Sequence, residues 1–89
     1  MSELGETLRQ AREDKNISLE ELAASTKIQK RYLQAIENGH FDQLPGRFYA
    51  RAFVKSYAEE VGLNPKQLFA NFPGEIPMTN SNLSEQLPP

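Results

Sequence analysis

SLEELAASTKIQKRYLQAIENG, residues 18–39, contains two helix starts and two helix stops in one short span. Ser18 followed three positions later by Glu21 is a capping box: the serine oxygen accepts an orphan backbone N–H, and the glutamate reaches back to the N–H of the cap. It predicts a short helix over Leu19–Ser25 that buries Leu19, Leu22 and Ala23. Thr26 to Ile28 is a connection of about three residues. A second helix follows over Gln29–Glu37, with Leu33 and Ile36 at core spacing. Asn38-Gly39 closes it, because glycine takes the left-handed cap at no steric cost. Two short helices across so tight a turn are the signature of a helix-turn-helix, whose second helix faces outward.

The flanks extend the same pattern. On the N-terminal side, Leu4, Leu8 and Ala11 recur at helical spacing over Glu3–Lys15, and Asn16 ends that helix. On the C-terminal side, Asp42 to Leu44 is a brief bridge, Pro45 and Gly46 interrupt the chain, and fifteen residues from Arg47 to Val61 then run free of Pro and Gly up to Gly62. This predicts one long fourth helix. Asn64 as N-cap and Pro65 in the first turn open a fifth, filled by Leu68, Phe69 and Phe72 and ended by Pro73-Gly74. The expectation is an all-α, compact five-helix bundle over residues 1–73. Residues 74–89 hold Pro77, Pro88 and Pro89 and few large apolar side chains, which predicts a disordered linker.

Size and composition narrow the function. A chain of 89 residues buries only about 60% of its unfolded surface, which leaves little capacity for an enclosed substrate cavity. The absence of cysteine removes disulfides, thiolate metal sites and a thiol nucleophile together. No apolar run reaches the length of about 18 residues that a membrane span needs, and the opening MSELGETLRQ is too polar for a signal peptide. The polypeptide is expected to be soluble and not exported. Net charge is −2 but unevenly spread: Lys27 to Lys55 carries six bases against Glu37 and Asp42, between two acidic flanks. An anionic partner for the basic middle third stays open.

Catalytic and metal chemistry find no foothold. His40 has no cysteine or second histidine to join it as a ligand. Glu20-Glu21 and Glu59-Glu60 are adjacent on their helices, so each pair diverges by about 100° and cannot converge on one substrate atom. Phosphate loops and nucleophile elbows are absent. We expect no enzyme, no cofactor and no metal. Binding residues are easier to find. Gln29, Lys30, Arg31 and Gln34 open the outward helix with the residue types that read guanine and adenine edges, which makes DNA one candidate partner.

The fourth helix offers another. Ala50, Val54, Tyr57, Ala58 and Val61 share one face and are expected to pack on the bundle. Tyr49, Phe53, Ser56 and Glu60 form a stripe to one side of it, and Arg51 and Lys55 flank the opposite side. Tyr49 and Phe53 either cover the edge of the core or stand as an exposed aromatic pair with a basic fringe, the composition of a protein-binding hot spot. Arg12, next to the apolar stripe of the first helix, and Glu37, at the end of the third, are either unrelated surface charges or a buried ion pair.

LRQAREDKNISLEELAASTKI (8–28), YLQAIENGHFDQLPGRFYARAFVKSYAEEVGL (32–63) and the Asn64-Pro65 that follows resemble the cytoplasmic domain of the RodZ family of bacterial cell-shape proteins, a branch of the Xre-like helix-turn-helix group. The resemblance covers about Glu3 to Phe72, and the PGRFYARAFVKSYA block is its specific part. It implies a lambda-repressor-like bundle whose fourth helix docks on MreB, the bacterial actin homologue, with the two aromatic contact positions falling on Tyr49 and Phe53 and with Arg51 and Lys55 beside them. It also implies an Arg12–Glu37 salt bridge. Relatives continue through a linker into a membrane span, so the chain is expected to be a monomeric fragment working at the cytoplasmic face of the membrane. It departs from many relatives at Ala52, where they carry glycine.

Overall fold

The computed structural model describes residues 2–46 and 48–73, which form five α-helices and one 3₁₀ turn without a strand. The first helix, α1, spans Glu3–Asp14; the Ser2 hydroxyl caps it by accepting the Gly5 N–H at 2.8 Å, and Glu3 and Glu6 sit favourably against the positive end of its dipole. Asn16, in the left-handed region at φ 58°, turns the chain.

The second helix, α2 (Leu19–Thr26), starts on the expected capping box, with Ser18 Oγ accepting Glu21 N–H at 3.0 Å and Glu21 Oε1 accepting Ser18 N–H at 2.9 Å. Leu22 is fully buried, whereas Leu19 and Ala23 are partly so. The turn that follows relies on Lys27 at φ 65°, a left-handed cap with neither Gly nor Asn to announce it. Gln29 is the N-cap of the third helix, α3 (Lys30–Asn38), and gives it no side-chain hydrogen bond. Gly39, at φ 77°, stops it as expected.

The expected bridge Asp42–Leu44 is in fact wound into a 3₁₀ turn, Phe41–Gln43, whose Phe41 is buried. The fourth helix, α4, is Tyr49–Glu60, shorter than the expected Arg47–Val61. The difference lies mainly at its start. The Tyr49 N–H is taken by the Gly46 carbonyl at 3.0 Å in a tight turn, and no side chain caps the helix, so regular α-geometry begins only at Tyr49. The fifth, α5 (Pro65–Asn71), hangs from Asn64, whose Oδ1 accepts the N–H groups of Lys66 and Gln67 at 2.9 and 3.3 Å. The expected linker 74–89 lies outside the described residues.

One core joins all five helices. Leu4 and Leu8 of α1, Leu22 of α2, Leu33 and Ile36 of α3 and Val54 of α4 are fully buried, and Leu68 anchors α5. The expected packing face of α4, namely Ala50, Val54, Tyr57, Ala58 and, just beyond the helix, Val61, is the face that turns inward. Gly5 sets the α1–α3 approach: a Cβ there would lie 2.1 Å from the Glu37 carbonyl oxygen, so α1 meets the end of α3 backbone to backbone.

Candidate functional site

With Ala50, Val54 and Tyr57 facing inward, helical geometry leaves Tyr49 and Phe53 at the rim of α4, one turn apart. Both are partly exposed, and their rings stack with centroids 5.5 Å apart and planes at 19°. The row continues at both ends. Phe48 lies 4.7 Å from Tyr49, and Tyr32, projecting from α3, lies 6.2 Å from Phe53. Phe53, like Tyr32, packs against the core edge, so of the Tyr49–Phe53 pair the edge-covering alternative holds in part for Phe53. Neither is buried, and the row remains in contact with solvent. The Arg31 guanidinium closes it, 5.1 Å above the Tyr32 ring, with Nη2 donating to the Tyr32 hydroxyl at 3.3 Å.

Arg51 and Lys55 are exposed on the other side of the packing face, and Arg51 stands 4.3 Å above the Phe69 ring of α5. The structure therefore brings Tyr49 and Phe53 together and places Arg51 on the other side of α4, against α5, with Lys55 one turn further along the helix. Gln29, Lys30, Arg31 and Gln34 are all exposed at the start of α3. Lys30 is engaged across the turn by Glu20, Nζ to Oε2 at 2.6 Å, and that ammonium holds the Glu20 carboxyl below its usual range. His40 is exposed, and among the described residues no group of three His, Asp or Glu converges as metal ligands would.

Behind the surface lies a polar centre. Arg12 Nε donates to Glu37 Oε2 at 2.8 Å, and both side chains are close to nine-tenths buried or more. Arg12 Nη1 donates to the Ile17 carbonyl at 2.8 Å, so the same guanidinium also pins the α1–α2 turn. The fully buried Tyr57 adds its hydroxyl as a donor to Glu37, and Arg12 Nε lies 3.3 Å from that oxygen. Burial, reinforced by the neighbouring carboxylate, pushes the Tyr57 phenol well above its ordinary value. Burial alone works against the charge on Arg12, but its hydrogen bonds to Glu37 and Tyr57 outweigh that and raise its pKa. Periodicity placed Tyr57 on the packing face without revealing this role. The available signal was that a buried tyrosine, unlike phenylalanine, needs a partner for its hydroxyl.

A helix-turn-helix domain family matches residues 7–68, and the chain belongs to that family. Within it, the chain is homologous to RodZ over its N-terminal region: it is 49% identical over 61 residues to the cytoskeleton protein RodZ of Streptococcus pneumoniae (strain ATCC BAA-255 / R6). It is 53% identical over 72 residues to YmfM, an uncharacterised membrane protein of Bacillus subtilis (strain 168). These matches take in 80% of this chain for YmfM and 68% for RodZ, but 25% and 22% of those proteins, so the chain spans about a quarter of the length of the curated relatives it matches. A solved structure of YmfM from Staphylococcus aureus, a membrane protein proposed to bind DNA, superimposes with a TM-score of 0.86 at 38% identity, covering 90% of this chain and 98% of that one. Among the described residues, no helix is long and apolar enough to cross a membrane.

Proposed function

We propose that this domain is a non-enzymatic cytoskeletal adaptor in bacterial cell-shape maintenance, binding MreB through α4 and linking it to the membrane elongation machinery. The observation that carries the reading is the partly exposed Tyr49–Phe53 stack. Two aromatic rings that stack on each other have less side-chain entropy to give up on docking, and such anchors dominate protein interfaces. Homology to a protein called a cytoskeleton protein supports the same class. Arg51 and Lys55 would meet carboxylates at the other margin of the helix. In a full-length protein, residues 74–89 would lead to a membrane span and hold the monomeric domain at the cytoplasmic face.

Tyr49→Ala combined with Phe53→Ala should reduce co-sedimentation with MreB filaments by about 30-fold in affinity, the equivalent of roughly 2 kcal/mol. Circular dichroism would confirm that the helices persist. Undiminished binding by the folded double variant would remove this interface.

DNA binding is the second reading, favoured by the exposed Gln29, Lys30, Arg31 and Gln34 and by the description of the Staphylococcus aureus relative. Two features weigh against it. Lys30 is already matched by Glu20, and the start of α2, where a helix N-terminus would receive a phosphate, carries Glu20 and Glu21 instead.

A further inference from the structure

We propose that the protein-docking surface does not end at α4 but continues across onto α3, so that Arg31 and Tyr32 contact the same protein partner as Tyr49 and Phe53. This rests on the adaptor reading above. The occupant has stated chemistry: an apolar pocket for the α4 aromatics, bordered by at least one carboxylate that faces Arg31.

Continuity is the first argument. Tyr49, Phe53 and Tyr32 form an unbroken row with centroid spacings of 5.5 and 6.2 Å, and the last two belong to different helices. A partner large enough to cover the α4 pair therefore also meets the Tyr32 ring. The second argument is the posture of Arg31. Its guanidinium lies over that ring and gives one donor to the Tyr32 hydroxyl, which leaves most of its five donors for an incoming acceptor. A planar cation held against an aromatic face is preorganised for a bidentate carboxylate.

Charge is the third. Lys30 is matched by Glu20, and Glu37 by Arg12, so the cation bordering the row on α3 is Arg31. Glu20 and Glu21 at the start of α2, the first of them paired with Lys30, oppose a polyphosphate laid along the helix-turn-helix.

Arg31 is exposed, so its substitution spares the core. The 89-residue chain and its Arg31→Ala, Arg31→Lys and Arg31→Glu variants are titrated against MreB filaments, with Tyr49→Ala/Phe53→Ala as reference and thermal unfolding as the check on folding. Arg31→Glu is expected to weaken binding about tenfold or more, Arg31→Ala several-fold, and Arg31→Lys to keep part of the affinity. Loss of binding in the aromatic double variant with none in Arg31→Glu would confine the surface to α4 and overturn the extension alone. Full binding by both would remove the α4 aromatic interface itself, and the extension with it, and absence of filament binding by the unaltered chain would overturn the adaptor reading. A parallel titration with duplex DNA gives the remaining outcome: if Arg31→Glu abolishes a salt-dependent duplex complex while filament binding is unchanged, Arg31 serves nucleic acid and the extension is wrong.

Discussion

The Tyr57 hydroxyl donates to the Glu37 carboxylate 20 positions earlier in the chain, tying α4, which bears Tyr49 and Phe53, to α3, which bears Tyr32 and Arg31. Because Arg12 donates to the same carboxylate, three helices meet at one anion. Tyr57→Phe removes a donor while keeping the ring, so Glu37 loses one of its partners. The expected loss is about 1–2 kcal/mol of unfolding free energy, read by urea denaturation. The pH dependence carries a second signature. The phenol is raised above its ordinary value of 10.0, so the folded state holds its proton more tightly than the unfolded chain. Stability from this group is full below that ordinary value and drains away as pH climbs beyond it. Wild type should lose stability more steeply than Tyr57→Phe above pH ~10. Parallel curves would mean that the hydroxyl contributes no linked proton.

Arg12 and Glu37 allow a test of whether the buried pair is worth more than its parts. Arg12→Met strands the Glu37 carboxylate in the core and should cost about 3–5 kcal/mol. Adding Glu37→Leu removes the stranded charge and should recover much of that loss, since well-packed apolar residues often replace a buried pair at little net cost. Thermal unfolding of the two single variants and the double variant gives the coupling. A double variant less stable than Arg12→Met would mean that Glu37 contributes independently of its arginine.

Gly5→Ala probes the close backbone approach between α1 and the end of α3. The added methyl would sit 2.1 Å from the Glu37 carbonyl oxygen, and the opposing atoms are backbone, which cannot swing aside as a side-chain tip would. Alanine is the better helix former, yet the clash should dominate, with a loss of about 2–3 kcal/mol. A neutral or stabilising outcome in chemical denaturation would mean that α1 and α3 separate at no cost.

Particular residues show why some of this was legible in the sequence and some was not. Ser18 with Glu21, Asn64 with Pro65, and Gly39 act on their own neighbours within a turn, so the helix ends they set could be read from a few adjacent letters. The α4 packing face followed from periodicity for the same reason. What failed was either uncoded or remote. Lys27 adopts a left-handed cap that its side chain does not advertise, and the turn after Gly46 delays α4. Tyr57 joins partners 20 and 45 positions away, and Tyr32 meets Phe53 only once α3 and α4 are packed. The same remoteness hid that Tyr32, with Arg31 over its ring, extends the α4 aromatic row.

Glu20 provides the test that separates the two partner classes. Glu20→Gln with Glu21→Gln removes two negative charges from the start of α2, while glutamine at position 21 can still serve the capping box. Lys30, released from its 2.6 Å contact with Glu20, becomes available to a phosphate. If the helix-turn-helix is held back from DNA by its own carboxylates, the wild-type chain should bind duplex weakly. The double variant should bind more tightly at low salt, with a plot of log affinity against log salt steeper by about one unit for the added phosphate contact. Fluorescence anisotropy with a labelled duplex at three salt concentrations measures both quantities. Filament binding should be unchanged, because neither glutamate lies on the aromatic row. A wild-type chain that already binds duplex tightly, with no gain in the variant, would show that Lys30 was never withheld and would move the weight of the function onto nucleic acid.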